Sequence, residues 1–110
     1  MTLSSHVLDG SRGEPAAGVF VRWEHLVDGH WKRVAQTVTD RDGRITEWDG
    51  ARPGPGTQRL VFGSGEYFAA QGVETFYPEV VVVFTVADPD RHHHVPLLLS
   101  PFAYSTYRGS

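Results

Sequence analysis

The sequence predicts an all-β sandwich, and three observations support this fold class. Runs of β-branched and aromatic residues recur along the 110 residues, and turn signals built from Gly, Pro and Asp interrupt them roughly every ten residues. Apolar and polar residues alternate within several runs, as they do in strands with one buried face. One short helix is expected, at residues 65–72, with Ser64 as N-cap and Gly72 as its stop. We therefore expect about eight strands and one helix in a single domain, residues 1–110.

The first half of the chain predicts four strands, over residues 3–9, 19–26, 31–39 and 44–48. In the first strand, alternation places Ser4 and His6 on the face opposite the apolar Val7. Asp28-Gly29 predicts a hairpin between the second and third strands. The sequence Asp-Arg-Asp-Gly at residues 40–43 predicts the next turn.

The second half predicts an extended loop followed by four strands. The loop covers residues 49–58, and the strands cover residues 58–62, residues 79–87 and the two runs that flank the break Ser100-Pro101. The valine-rich strand at 79–87 predicts that both of its faces are covered. Before the break, alternation directs Val95, Leu97 and Leu99 to the core and His94 to the opposite face. Because chain ends are usually frayed, this pattern indicates that the C-terminus is tied into the structure.

The composition excludes several classes of protein. The net charge of -3, without a basic stripe, gives no reason to expect nucleic-acid binding. The lack of cysteine excludes disulfides and thiolate metal sites, and it fits a reducing compartment. No apolar run approaches the roughly 20 residues of a membrane-spanning helix, and the N-terminus does not resemble a signal peptide. We therefore expect a cytoplasmic protein that is not associated with a membrane.

Histidine is the residue type that is left to carry chemistry. There is no Cys nucleophile, Gly-x-Ser-x-Gly motif, phosphate loop or dinucleotide fingerprint. The six histidines are His6, His25, His30, His92, His93 and His94. Imidazole titrates near neutral pH and therefore suits acid–base catalysis. His25 and His30 flank the predicted hairpin and are expected to be solvated.

No metal site is expected. Adjacent residues of a strand point apart, so the run at 92–94 does not provide the four converging ligands of a closed zinc site. Asp40-x-Asp42-Gly43 is similar to the start of a calcium loop, but the later acidic ligands are missing. A plain turn is therefore favoured there, and Arg44 after it would by default be a surface charge.

The C-terminal stretch resembles the transthyretin-like family, the 5-hydroxyisourate hydrolases. The similarity is carried by residues 94–101 (His-Val-Pro-Leu-Leu-Leu-Ser-Pro) and by residues 104–110, which end in the family's Tyr-Arg-Gly-Ser. It continues upstream, in collinear order, at residues 5–9, 13–16, 39–44 and 76–79. The resemblance therefore covers essentially the whole chain.

The resemblance implies a fold, an assembly and an activity. The fold would be a transthyretin-like (prealbumin-like) sandwich of two four-stranded sheets with one short helix. The assembly would be a homotetramer, a dimer of dimers, with active sites at the dimer–dimer interface. The activity would be hydrolysis of 5-hydroxyisourate to 2-oxo-4-hydroxy-4-carboxy-5-ureidoimidazoline in urate degradation, with no metal or organic cofactor.

The family's functional positions carry over one at a time. The resemblance implies His6, Arg44 and His94 as catalytic residues, and Tyr107, Arg108 and Ser110, with His6 and Arg44, as substrate-binding residues. One position departs from the family pattern, which usually reads His-Tyr-His before Val-Pro and here has His93 in the middle. By alternation His93 faces away from His94, so we expect the site to be retained.

These residues support a hypothetical mechanism. His6 or His94 would act as the general base that activates water, and the sequence leaves open which one. Arg44 would stabilise the oxyanion and hold a neighbouring imidazole neutral. The Tyr107 hydroxyl would position the substrate, and Ser110 would contribute its hydroxyl and carboxylate.

Two alternatives stay open. A small-molecule carrier such as transthyretin, the thyroid-hormone carrier, shares the sandwich, and fold alone does not decide function. As the resemblance goes, the carrier lacks the histidine pair, the turn arginine and the Tyr-Arg-Gly-Ser ending. A hydrolase of another cyclic amide is the second alternative.

Overall fold

The computed structural model describes residues 3–52 and 54–110, and within them the chain forms nine strands and one helix in two stacked sheets. Met1, Thr2 and Pro53, the last of which belongs to the predicted loop at 49–58, lie outside the described residues. The elements are β1 (Leu3–Asp9), β2 (Glu14–Pro15), β3 (Phe20–Val27), β4 (His30–Val38), β5 (Arg44–Ile45), β6 (Gly56–Phe62), α1 (Ser64–Ala69), β7 (Val80–Val86), β8 (His93–Ser100) and β9 (Ala103–Thr106). The all-β sandwich is confirmed.

One sheet has four strands and the other has five. The four-stranded sheet has the order β4-β3-β6-β7. The other has the order β2-β1-β8-β9, and β5 also pairs with β1. The two-residue strands β2 and β5 occupy successive parts of the same edge of β1, because β8 occupies its other edge. Because β2 and β5 share this edge, this sheet has five strands, one more than the four that the resemblance implied.

The pairing of β1 with β8 is parallel, whereas every other strand pair is antiparallel. Its register sets Ser4 beside His94 and His6 beside Pro96. On the opposite edge of β1, Arg44 pairs with His6. Since paired residues share a face of the sheet, three distant parts of the sequence are brought together.

The core lies between the sheets and is centred on two tryptophans. The Trp23 and Trp48 rings meet edge to face, with centroids 5.4 Å apart. Each indole N–H has an acceptor: Trp23 donates to Gln58 Oε1 at 2.7 Å, and Trp48 donates to the Leu3 carbonyl at 2.8 Å. The aromatic bodies are therefore buried without leaving an unpaired polar group.

The helix begins one residue earlier than the sequence predicted and ends at Ala69 rather than at Gly72, and Ser64 does not cap it. Gly63 occupies the N-cap position, and no side chain caps the helix. The Ser64 hydroxyl instead donates to the Tyr77 carbonyl at 3.3 Å, which joins the helix to the segment before β7. No helix in the described part of the chain has the length and apolarity needed to cross a membrane.

The valine-rich strand is covered on one face only. Val80, Val82 and Val86 are buried, whereas Val81 and Val83 are 39% and 56% exposed in the protomer. The prediction that both faces are covered is wrong for the single chain, because Val81 and Val83 leave the outer face of this strand partly exposed to solvent.

The turn before β5 depends on Gly43. This residue has φ +74°, and a Cβ there would overlap the Val7 carbonyl oxygen. Its own carbonyl accepts a hydrogen bond from the Val7 N–H at 2.7 Å. Gly29 in the β3–β4 hairpin has a similar φ of +78° but open space around it. The two glycines therefore differ in steric surroundings rather than in backbone conformation.

We expect Gly43→Ala to destabilise the protein by about 1–3 kcal/mol more than Gly29→Ala, because both substitutions place Ala at positive φ but only the first also overlaps backbone. Urea denaturation of the two variants, at one protein concentration, measures the difference. Equal losses of stability would contradict the role given to the close contact between this turn and β1.

Candidate active site

Four polar side chains share the face of the five-stranded sheet that points away from the core. The β1–β8 and β1–β5 registers place Ser4, His6, Arg44 and His94 there, in agreement with the predicted alternation. Their neighbours along the strands, such as Val7 and Val95, are buried in the sandwich. The structure therefore brings together the three residues predicted to be catalytic.

His6 is oriented by the turn that follows β4. Its Nε2 lies 2.9 Å from the Asp42 carbonyl oxygen. A carbonyl can only accept, so Nε2 carries a proton and, in the neutral ring, Nδ1 is the unprotonated nitrogen. The Asp40 carboxylate fixes this turn by accepting from the Asp42 and Arg44 N–H groups, each at 2.9 Å. The Arg44 N–H is the main cause of a lowered pKa at Asp40, so this carboxylate stays ionised.

Arg44 presents an exposed side chain beside the two histidines. Within the described residues, its guanidinium makes no hydrogen bond or ion pair, and it acts on Asp40 and His94 only through its charge. A guanidinium offers five N–H donors in a rigid fork. This group is therefore available to bind a planar, oxygen-rich or anionic ligand.

His94 is half-buried and is held by Ser4. Its Nδ1 lies 2.7 Å from the Ser4 hydroxyl oxygen, and its ring is nearly parallel to that of His92, with centroids 6.5 Å apart. Burial lowers the pKa of His94, and the charges of His92, His6 and Arg44 lower it further. A hydrogen bond with the Ser4 main chain acts in the opposite direction without reversing the shift. The neutral imidazole, the form that a general base needs, is therefore favoured.

The C-terminal segment packs directly against His94. The Gly109 N–H donates to the His94 carbonyl at 2.9 Å, and the two residues form an isolated β-bridge. A Cβ at Gly109 would overlap the His94 ring, so only glycine fits without a shift of the imidazole. The Thr106 hydroxyl anchors the preceding residues by donating to the Pro96 carbonyl at 2.7 Å. The expectation that the C-terminus is tied into the structure is confirmed.

Tyr107 and Arg108 share a cavity with His94. Both are exposed, and with His94 they line a cavity of about 270 Å³ between β7 and the β8–β9 edge. No hydrogen bond or ion pair connects their side chains to His6 or Arg44 within the described residues. Ser110 is exposed and follows directly on the Gly109 bridge. The protomer therefore joins the predicted binding residues to the histidine–arginine face only in part.

The remaining histidines lie away from this face, except His92. His93 is buried with Val95 on the core side, as alternation predicted, and its Nδ1 has no hydrogen-bond partner among the described residues. His30 is exposed, and His25 is half-buried and donates to the Pro55 carbonyl at 3.1 Å through an exposed hydrogen bond, so both remain in contact with solvent as expected. Among the residues that the structure describes, no cluster of three or more His, Cys, Asp or Glu side chains could hold a metal ion.

Ser4 also belongs to this site, although it was not among the predicted site residues. Its hydroxyl lies 2.9 Å from His92 Nε2 in addition to its contact with His94. The available signal was its position two residues before His6, on the same face of β1. The partner histidines are about ninety residues away in sequence, and only the parallel register shows that they meet.

Comparisons with known proteins agree with this arrangement. Residues 3–109 match the model of the HIUase/Transthyretin family. A 5-hydroxyisourate hydrolase of Salmonella dublin is 45% identical over 98% of this chain and 80% of its own length. The structure of Klebsiella pneumoniae 5-hydroxyisourate hydrolase superposes with a TM-score of 0.88 at 37% identity and covers all of both chains.

A structure of sea bream transthyretin in complex with thyroxine also matches. Its TM-score is 0.88 at 33% identity, and the match covers 99% of this chain and 95% of that one. A 5-hydroxyisourate hydrolase and a thyroxine-bound transthyretin thus match this fold with the same TM-score. Because the family model matches residues 3–109 and the Salmonella relative is similar over nearly all of this chain, the chain belongs to the HIUase/Transthyretin family.

Proposed function

We propose that this protein hydrolyses 5-hydroxyisourate to 2-oxo-4-hydroxy-4-carboxy-5-ureidoimidazoline in urate degradation. The observation that carries the proposal is the convergence of His6, Arg44 and His94 on one open face, with the Arg44 guanidinium free of partners among the described residues. The names of the relatives support the choice of substrate. The enzyme would thus be a hydrolase of a cyclic amide.

The reaction follows from these groups. A neutral imidazole removes a proton from water, and the water oxygen attacks the carbonyl carbon of a ring amide. The carbonyl electrons move to oxygen, and Arg44 stabilises the resulting oxyanion by charge and by N–H donation. Collapse of the intermediate breaks the C–N bond, and the departing nitrogen takes up the proton held by the imidazolium. As proposed, the steps use only water and side chains of this chain, without a metal or organic cofactor.

Tyr107, Arg108 and Ser110 complete the proposal as substrate-binding residues. A urate-like ring presents carbonyl oxygens to the Tyr107 hydroxyl and to the Arg108 guanidinium. The Ser110 hydroxyl would accept from a ring N–H group beside His94. Because the protomer leaves Tyr107 and Arg108 apart from His6 and Arg44, we propose that full sites form where dimers meet in a homotetramer.

Exposed apolar groups support this assembly. Leu98 lies on the face of His94 and is 41% exposed, and Phe102 in the β8–β9 turn is 63% exposed. Side chains of this kind beside a site suggest a surface that is covered by another copy. Light scattering coupled to gel filtration tests the tetramer. We further propose a cytoplasmic location, with which the lack of cysteine is compatible.

A coupled assay tests the function. Urate and a urate oxidase generate 5-hydroxyisourate in the cuvette, and its ultraviolet absorbance is followed with and without this protein. The proposal expects decay faster than the spontaneous rate, and loss of that acceleration in His94→Ala. Decay at the spontaneous rate from folded protein, together with thyroxine binding, would instead favour a carrier like the sea bream protein. Decay at the spontaneous rate without thyroxine binding would favour another cyclic amide as substrate.

We expect Arg44→Ala to lower kcat by about 100- to 1000-fold, because one preorganised oxyanion donor is lost. Arg44→Lys should retain more activity than Arg44→Ala, since it keeps a positive charge but loses the bidentate fork. Steady-state kinetics at one pH and gel filtration of both variants make the comparison. Activity near wild type in Arg44→Ala would remove the oxyanion role.

The activity should persist to lower pH than an ordinary imidazole allows. Burial first, and then the charges of His92, His6 and Arg44, hold the pKa of His94 below 6.5. The acid limb of kcat/KM, which reports the free enzyme, should therefore have its midpoint below pH 6.5. The free energy of unfolding should also fall as the pH falls. Around and below pH 6.5 the imidazole of the unfolded chain binds a proton more readily than folded His94 does, so protonation favours the unfolded state. A midpoint at or above 6.5 would contradict the assignment of the base to His94.

Gly109→Ala should impair activity through His94. The added methyl group must displace the imidazole ring or the C-terminal strand. We expect a fall in kcat of about 10-fold or more, which is the order of effect of small displacements in catalytic geometry. Gly54→Ala, where a Cβ would meet only the His25 ring at 4.0 Å, is the matched control and should behave as wild type. If both variants are fully active, the fit between Gly109 and His94 has no catalytic role.

A further inference from the structure

Ser4 occupies a buried position between two imidazoles on the site face. It is 8% exposed, and its hydroxyl oxygen lies 2.7 Å from His94 Nδ1 and 2.9 Å from His92 Nε2. Its backbone is fixed by the parallel register that pairs Ser4 with His94. The hydroxyl is therefore not a surface group with free rotation, and it contacts the ring on which the proposed reaction depends.

A count of protons limits what this arrangement can be. A serine hydroxyl has one proton to donate and lone pairs to accept with. It can donate to only one of the two rings, so the other contact requires a ring N–H that donates to Ser4. For His94 this leaves two orders: either its Nδ1–H donates to Ser4, which leaves the Ser4 proton free to donate to His92, or Ser4 donates to His94 Nδ1 and His92 donates to Ser4.

The two orders have opposite consequences for catalysis. If His94 Nδ1–H donates to Ser4, the other ring nitrogen, Nε2, holds a lone pair and can act as a base. If Ser4 donates to Nδ1, the neutral ring carries its proton on Nε2 and cannot take one from water. Only the first order leaves His94 with an unprotonated nitrogen that is not engaged by Ser4, and the proposed reaction requires such a nitrogen.

We propose that Ser4 is a positioning residue: it accepts from His94 Nδ1–H, donates to His92 Nε2, and so makes His94 Nε2 the basic nitrogen of the site. This inference rests on the proposed hydrolase function and deepens it, because it selects His94 rather than His6 as the base. His6 donates its Nε2 proton to the Asp42 carbonyl, which leaves its Nδ1 for substrate contact. The two histidines thus expose different nitrogens.

The tautomer can be observed without substrate. Two-dimensional long-range ¹H–¹⁵N spectra of the ¹⁵N-histidine-labelled full-length protein, above the pH at which the ring titrates, distinguish protonated from unprotonated ring nitrogens. His94→Gln identifies the His94 signals. The expected result is a protonated Nδ1 and an unprotonated Nε2 in wild type. A wild-type His94 with its proton on Nε2 would overturn the proposal.

Variants link the tautomer to the rate. Ser4→Ala should lose the fixed tautomer, and kcat should fall by about 10- to 100-fold with little change in KM, as when a group that orients a catalytic histidine is removed. Ser4→Thr keeps the hydroxyl and should retain both the tautomer and most of the rate. Ser5→Ala is the matched control. Ser5 is also buried, but it lies on the other face of β1, and its hydroxyl donates to the Val95 carbonyl at 2.7 Å.

The outcomes separate this inference from the proposed function. A fixed Nδ1–H tautomer that is lost in Ser4→Ala and kept in Ser5→Ala supports the positioning role, even if the protein does not accelerate 5-hydroxyisourate decay. An active enzyme in which Ser4→Ala changes neither the tautomer nor kcat beyond the effect of Ser5→Ala overturns the role of Ser4 and leaves the hydrolase proposal intact. If Ser4→Ala does not fold, the wild-type spectrum alone still decides the tautomer.

Discussion

The parallel pairing of β1 with β8 is the constraint on which the site depends. It sets Ser4 beside His94 and His6 beside Pro96, although these residues are separated by about ninety positions in sequence. Since the side-chain period of a strand is two, a slip of one residue would turn His94 into the core and bring His93 to the open face. The register is secured from the core side, where Val7 and Leu97 are fully buried as partners. Core packing therefore determines which imidazole reaches the site.

The second edge of β1 adds the positive charge. β5 is only two residues long, but its pairing puts Arg44 opposite His6. The turn before it is held by the Asp40 carboxylate and by the close contact of Gly43 with Val7. The site thus has a cation whose place is set by backbone hydrogen bonds rather than by an ion pair. A guanidinium without an ion-pair partner in residues 3–52 and 54–110 remains free to act on a ligand and on the protonation of His94.

Much of this arrangement could be predicted from local patterns. Period-two alternation correctly separated His94 from Val95 and His6 from Val7, and Asp28-Gly29 correctly gave a hairpin. What local patterns do not contain is the partner of each strand, so the link between Ser4 and His94 could not be predicted. The same limit explains β7. Its valines indicated a strand covered on both faces, although Val81 and Val83 are exposed in the protomer. Likewise, the hydrogen bond from His25 to the Pro55 carbonyl, thirty residues away, could not be predicted from the hairpin pattern.

The fold is shared by hydrolases and by a thyroxine-binding protein, so the site face has to carry the distinction. A carrier needs shape and apolar contact, and it gains little from a buried hydroxyl that orders protons between two imidazoles. A base does need such order, because a neutral histidine has one free nitrogen and must present it to water. Burial and neighbouring charge keep His94 neutral, and Ser4 and Gly109 limit how its ring can turn. Each of these features restricts a proton or a ring rather than enlarging a pocket, and this is why the arrangement favours catalysis over storage of a ligand.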